Sequence, residues 1–321
     1  MIRKNNWNNS KGMIQVINDH HMYDKLINIT DERNVMVNED LMNHTYTRLG
    51  GKADFLVKPE TYEQVQEIVK LANKEKIDFT LLGNGSNLIV KDGGIRGIVM
   101  NLQKLTQVKT NATTIVAQSG ARIIDVSREA LTKNLSGLEF ACGIPGSVGG
   151  ALFMNAGAYG GEVKDVLEST IVVDREGNQL TLKAEELDLD YRTSNIPDRG
   201  YIVLEATFSL ENGNYEAIKA IMDDLTYKRE SKQPLEYPSC GSVFKRPPGY
   251  FAGKLIQDSD LQGKQIGGAQ VSLKHAGFIV NKDKATASEY IDLIHYVQAT
   301  VKEKFDVNLE REVKIIGEDP N

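Results

Sequence analysis

The 321-residue chain carries 38 Lys and Arg against 44 Asp and Glu, a formal net charge of −6 with a pI near 5.5. That balance argues against a binder of phosphate backbones, which needs clustered cations to displace counterions, and the length suits two or three modest domains. The two cysteines, Cys142 and Cys240, and the five histidines, at 20, 21, 44, 275 and 295, show no metal-ligand spacing, so neither a bound metal nor a disulfide framework is expected. No apolar run approaches the roughly 20 residues that cross a bilayer, and the first residues lack the basic-then-apolar order of a secretory signal. A cytoplasmic protein without membrane insertion is the expectation.

Met1 to Gly12 is Asn-rich and nearly free of large apolar side chains. Such a segment cannot repay its ordering entropy, so residues 1–23 are expected to be a disordered extension. From Thr61 to Lys76, Val65, Ile68, Val69 and Ala72 recur at helical spacing behind a Thr61/Gln64 capping box. Strands are predicted at Phe55–Val57, Phe79–Leu82 and, after the Gly93-Gly94 turn, Ile98–Leu102, a βαβ-like arrangement.

The pattern then changes to a strand from Thr113, a helix from Arg122 to about Lys133 with Ile124, Val126 and Ala130 inward, and a glycine-rich stretch through Gly161. Strands follow at Thr170–Val173 and Tyr201–Leu210. An amphipathic helix starts near Asn214, with Ile218, Ile221, Met222 and Leu225 on its apolar face, and runs into the charged stretch Lys228 to Lys232, read as a solvated helix end. The last helix, Ser288 to Lys304, is capped by Thr286 and Glu289 and turns Tyr290, Ile294, Val297 and Val301 inward; a final strand, Val313–Ile316, follows. Pattern changes place boundaries near 105 and 213, dividing the chain into 24–105, 106–213 and 214–321.

The loop Gly83-Asn84-Gly85-Ser86-Asn87 directly follows the strand Phe79–Leu82. Glycines at a strand's end let backbone N–H groups converge on an anion, and Ser and Asn add side-chain donors. Leu88 occupies the third glycine place of the dinucleotide fingerprint, and Gly51-Lys52 is followed by Ala53, so neither a standard Rossmann loop nor a Walker loop is present. Alone, the loop reads equally well as a tight turn. A second stretch, Gly143-Ile144-Pro145-Gly146-Ser147-Val148-Gly149-Gly150-Ala151 with Asn155-Ala156-Gly157-Ala158-Tyr159-Gly160-Gly161, tips the balance toward close approach of backbone to a large flat or anionic ligand.

Together these segments resemble the flavin-binding half of the UDP-N-acetylenolpyruvoylglucosamine reductase family. The similarity runs from about His44 to Gly317 and includes, in order, Asp190-Tyr191-Arg192-Thr193-Ser194, Ser239-Cys240-Gly241-Ser242-Val243-Phe244 and Leu309-Glu310-Arg311-Glu312-Val313. The resemblance implies an α+β protein: a two-subdomain FAD-binding flavoprotein fold of the PCMH type (24–105 and 106–213) with a third, substrate-binding α+β domain (214–321). It implies non-covalent FAD, NADPH as hydride source, and reduction of UDP-N-acetylglucosamine enolpyruvate to UDP-N-acetylmuramate for peptidoglycan precursor synthesis.

By the same resemblance Arg192, Ser242 and Glu312 are catalytic. Arg192 would hold the substrate carboxylate, where a guanidinium stays charged at any working pH. Ser242 would donate the proton, and Glu312 would orient or polarise the serine and the carboxylate region. Arg48, Gly83, Asn84, Gly85, Ser86, Asn87, Gly146, Ser147, Gly150, Ala156 and Gly157 would meet FAD; Tyr159, Lys232, Tyr237, Lys254, Gln257 and His275 would meet the substrate. No tyrosine-bearing insertion of the kind some relatives carry is present, so the chain resembles the shorter-loop subclass. Two alternatives stand beside this reading: another PCMH-type FAD oxidoreductase acting on sugars or alcohols, with His44 placed for a covalent flavin, and a non-catalytic UDP-sugar-binding module.

Overall fold

The structure, a computed structural model, describes residues 21–320. The expected disordered extension falls outside these residues up to position 20. Residues 21–23, included in that expectation, instead open a helix, α1, over 21–29, because Met22 and Leu26 find buried places against the first unit.

That unit holds β1 (Val35–Asp40), β2 (Lys52–Val57), α2 (Tyr62–Glu75), β3 (Phe79–Leu82), β4 (Leu88–Val90) and β5 (Ile95–Asn101). The sheet order is β1-β2-β5-β3, with β5 parallel to β2 and β3 and β1 antiparallel at the edge. β5 starts three residues before the predicted Ile98. Its pairing with β2 begins at Ile95 and continues past the bulge near Gly97, which apolar pattern alone does not reveal. α2 buries Val65, Ile68, Val69 and Ala72 as spacing required. Thr61 accepts from the Gln64 N–H, but the Gln64 side chain accepts from Glu60 N–H at 2.7 Å, so only half of the predicted box forms.

The second unit contains β6 (Val108–Asn111), β7 (Thr114–Gln118), α3 (Ile123–Thr132), β8 (Leu135–Ser136), α4 (Val148–Phe153), β9 (Gly157–Ala158), β10 (Gly161–Glu162), β11 (Leu167–Val173), β12 (Gln179–Lys183), α5 (Ile196–Arg199), β13 (Ile202–Ser209) and β14 (Glu211–Asn212). Its antiparallel sheet runs β12-β11-β13-β7-β6 and shares a core with α3 and α4. Ile124 is only half-buried on α3, where Ile123, Val126 and Ala130 form the buried face.

The rest of the chain forms α6 (Tyr215–Lys232), β15 (Ser239–Ser242), α7 (Ala252–Asp258), β16 (Gln265–Ile266), β17 (Ala269–Val271), β18 (Phe278–Asn281), α8 (Ala287–Phe305) and β19 (Lys314–Ile316). The sheet β15-β18-β17-β16 is covered by α8 through Tyr290, Leu293, Ile294, Val297 and Val301. α6 packs on the second unit, with Ile218 and Met222 against Cys142. Ile221, expected on the apolar face, is half-exposed: the contact uses a narrow i, i+4 stripe that it falls beside. β19 leaves the third unit and pairs parallel to β4, Lys314 with Leu88 through Ile316 with Val90, so the chain closes on its own first unit.

Candidate active site

The two glycine segments face each other. Asn84 Nδ2 donates to the Pro145 carbonyl at 3.4 Å; a Cβ on Gly83 would stand 3.1 Å from Ser147 Oγ and one on Gly146 3.6 Å from Ser86 Oγ. Gly85, at φ +66, backs onto the His44 carbonyl so closely that a Cβ would lie 2.4 Å from that oxygen. Only glycine fits there. Among the described residues, the N–H groups of Asn84, Gly85, Ser86 and Asn87 meet no protein acceptor. Ser147, 3 % exposed, caps α4 by accepting from Gly150 N–H at 3.3 Å.

Two concavities border this contact. A cavity of about 1200 Å3 is lined by Ser86, Asn87, Ile144 and Pro145 among others, and a cleft of about 320 Å3 by Asn84, Gly120, Arg122 and Asp125 among others. Of the residues expected at FAD, Arg48, Ser86, Asn87, Ala156 and Gly157 line the cavity and Asn84 lines the cleft. Gly83, Gly85, Gly146, Ser147 and Gly150 line neither: the first three shape the two glycine loops, and Ser147 and Gly150 belong to the cap and first turn of α4. His44 does not line the cavity; its Nε2 stands 2.8 Å from Glu39 Oε1.

Arg192, Ser242 and Glu312 come from separate segments to the cavity wall. Arg192 sits at φ +55 in the turn between β12 and α5, and its Nη2 donates to the Gly157 carbonyl at 2.6 Å. Its Nε lies 3.2 Å from Glu312 Oε1, yet that N–H is not aimed at the oxygen and makes no hydrogen bond. The pair is a charge contact, which leaves guanidinium donors for a ligand. Burial pushes the Glu312 carboxyl above its ordinary value, against the opposing pull of Arg192 and Lys245. The Glu312 N–H donates to the Val243 carbonyl at 2.8 Å, which sets this residue beside the strand that carries Ser242.

Ser242 ends β15 after a bulge: Ser239 pairs with Val280 and Ser242 with Phe278, three residues against two. Gly241 makes that bulge at φ +76, with nothing near an added Cβ, so the requirement for glycine is conformational.

Tyr159, Lys232, Tyr237, Lys254, Gln257 and His275 all line the same cavity. Lys254 is ion-paired with Asp258. His275 Nδ1 accepts from Gly277 N–H at 3.2 Å, and burial lowers its pKa; both favour the neutral ring with its hydrogen on Nε2.

Further lining residues were not anticipated: Tyr46, Tyr191, Arg229, Arg246 and Lys274. Tyr46 and Tyr191 stand inside the segments already singled out. The Lys228–Lys232 stretch does end α6 with Lys228, Glu230, Ser231 and Lys232 exposed, but Lys228, Arg229 and Lys232 also line the cavity, as their i, i+1, i+4 spacing permits. Arg229 has no carboxylate within ion-pairing distance among the described residues, and burial lowers its pKa. In a chain of net charge −6 the cavity therefore concentrates cations suited to a diphosphate.

Residues 53–183 match the family model of the FAD binding domain, and residues 233–316 match that of the UDP-N-acetylenolpyruvoylglucosamine reductase C-terminal domain. The chain is 75% identical over 301 residues to the UDP-N-acetylenolpyruvoylglucosamine reductase of Oceanobacillus iheyensis, spanning 94% of this chain and 98% of that one. It is 64% identical over 298 residues to the Geobacillus kaustophilus protein of the same name, covering 93% and 98%. The crystal structure of the Thermus caldophilus UDP-N-acetylenolpyruvylglucosamine reductase aligns with a TM-score of 0.75 at 33% identity, over 88% of this chain and 97% of that one. The wild-type glucose dehydrogenase Phl p 4.0202 shares the fold alone, with a TM-score of 0.50 at 14% identity over 61% of this chain and 44% of that one.

Proposed function

The chain belongs to the UDP-N-acetylenolpyruvoylglucosamine reductase family of FAD-dependent oxidoreductases, and we propose that Arg192, Ser242 and Glu312 carry its reaction with NADPH as reductant. The reaction reduces UDP-N-acetylglucosamine enolpyruvate to UDP-N-acetylmuramate, a step of peptidoglycan precursor synthesis. The observation that carries the residue assignment is that these three side chains, 50 and 70 residues apart in sequence, line one cavity, with Arg192 in charge contact with Glu312 and fastened to the Gly157 carbonyl.

FAD fits the residues present. Four loop N–H groups without protein acceptors offer donors to a diphosphate, and residues of the first glycine loop line both concavities, which suits a long ligand. Asn84 to Asn87 would hold the diphosphate, and Ala156 and Gly157 the flavin end. The chemistry FAD supplies when bound is two-electron transfer, hydride taken from NADPH and delivered to the terminal carbon of the substrate's enol ether.

Hydride addition to that carbon moves the alkene electron pair toward the neighbouring carboxylate. Arg192 holds this growing charge with donors already in place, so little reorganisation accompanies the reaction. Ser242 gives its hydroxyl proton to the carbon that bears the ether oxygen, which completes the addition of one hydride and one proton across the double bond. Glu312, beside the Val243 carbonyl and Arg192, orients the serine and balances the guanidinium. Lys232, Arg229 and Arg246 suit the diphosphate of the sugar nucleotide, and the chain fits the shorter-loop subclass. A cytoplasmic site of action suits these substrates; among the described residues no helix is long and apolar enough to cross a membrane.

The test separates the half-reactions without oxygen: NADPH bleaches the visible flavin band, and the enolpyruvyl sugar nucleotide restores it. In Ser242→Ala the bleaching should proceed near normally while the return slows by about a hundredfold or more, the span of one general acid. Equal loss in both halves would remove the proton-donor role.

A further inference from the structure

Asn155 is completely buried and does not line the cavity, although Met154 and Ala156 on either side of it do. Its backbone stands at φ +44, a conformation asparagine visits more readily than most residues but still at a cost. Every polar atom of its side chain is engaged. Nδ2 donates to Glu162 Oε2 at 3.1 Å and to the Asp190 carbonyl at 3.1 Å, while Oδ1 accepts from Lys164 N–H at 2.9 Å. The network fixes the orientation of the amide, because a flipped one would turn its NH2 toward the Lys164 N–H.

Asp190 opens the turn that bears Arg192. The turn is closed by Asp190 N–H to the Thr193 carbonyl at 3.2 Å and Thr193 N–H to the Asp190 carbonyl at 3.1 Å. Beyond it, Ser194 Oγ donates to the Phe153 carbonyl at 2.7 Å, and the Arg192 guanidinium reaches the Gly157 carbonyl. The turn is thus fastened to residues 153–157 at three points. At the first of them the fastening group is the Asn155 side chain.

We propose that Asn155 is a positioning residue for Arg192: by holding the Asp190 carbonyl it sets the strained turn from which the guanidinium enters the cavity. The inference rests on the reading of Arg192 as the group that binds the substrate carboxylate. It makes Asn155 matter in one half-reaction, through one partner, without touching substrate. Residues that act through a shared partner are not additive, and that distinguishes positioning from a general structural role.

The experiment is a double-mutant cycle on the flavin-loaded protein with Asn155→Ala, Arg192→Ala and the pair. Flavin content, bleaching by NADPH, reoxidation by the enolpyruvyl sugar nucleotide and thermal melting are read for each. Asn155→Ala should slow reoxidation up to about a hundredfold, the scale of a ~1 Å misplacement, with flavin content and bleaching retained. In the Arg192→Ala background the same change should cost less than about twofold. Should Asn155→Ala fail to hold flavin, Asn155→Asp takes its place; it keeps size and the acceptor for Lys164 N–H but loses the donor to Asp190. Equal costs in both backgrounds, or equal loss in both half-reactions, would overturn the positioning role. Arg192→Ala with unimpaired reoxidation would overturn the carboxylate-binding reading itself, and Asn155's role with it.

Discussion

At the scale of single residues, Glu312 shows how burial and pairing compete. Its carboxyl is raised by desolvation despite Arg192 and Lys245, so the folded protein binds this proton more tightly than the unfolded chain does. The stability it contributes is fully present below the unfolded value of 4.5 and is lost as pH rises through the higher folded value. Glu312→Gln cannot ionise and should therefore melt higher than the parent above that window, with the difference vanishing in more acid buffer. Melting curves across pH check this, and a difference that persisted below the window would point to packing instead. The same variant should lose the limb of the reoxidation pH profile that lies above the ordinary carboxylate range. Arg192, Ser242 and Glu312 could be singled out in sequence because each lies in a compact motif of the family resemblance, and all three line one cavity. Asn155 was visible in its motif but its role was not, since that role depends on a hydrogen bond to a carbonyl 35 residues away. Arg229 was hidden differently: within a charge run nothing local tells a cation facing solvent from one facing a cavity.

At the scale of elements, sequence pattern located the helices well where one face is buried against a local core, as in α2 and α8. It located α6 but misassigned part of its apolar face, because only a tertiary partner decides which stripe is used. α8 also shows a fastening that no local signal contains. Its first turn would expose N–H donors, and Thr286 and Glu289 form the predicted capping box. The donors of Ala287 and Ser288 go to Asp92 of the first unit, at 2.8 Å each, and Ser288 Oγ donates to the same carboxylate at 2.6 Å. A carboxylate there also meets the positive end of a 19-residue helix. Asp92→Ala should destabilise the protein by about 2 kcal/mol, near the upper value for loss of a capping carboxylate, measured by denaturant unfolding. Asp92→Asn, which retains an acceptor but not the charge, should recover part of it. A loss under ~0.5 kcal/mol for the alanine variant would mean that water replaces Asp92 at no cost.

At the scale of the whole molecule, a division of the chain into consecutive segments does not reveal that its last strand pairs with β4 of the first. The residues of β19 carry an ordinary apolar pattern, and nothing in it names a parallel partner more than 200 positions upstream. The consequence reaches the site. Lys314 N–H donates to the Asn87 carbonyl at 3.1 Å and Asn87 Nδ2 donates to the Glu312 carbonyl at 3.4 Å, so the segment running from Glu312 into β19 is tied to the end of the first glycine loop. Further along, Lys91 N–H donates to the Ile316 carbonyl at 2.9 Å and Gly93 N–H to the Glu318 carbonyl at 3.0 Å. Truncation after Val313 keeps Arg192, Ser242 and Glu312 yet removes the Lys314 tie, and should lower both flavin retention on gel filtration and the melting temperature. Truncation after Asp319 spares those hydrogen bonds and should match the full chain in both. If the shorter truncation product kept its flavin as tightly as the parent, the glycine loop would be set by the first two units alone, and β19 would serve only to cover the edge of β4.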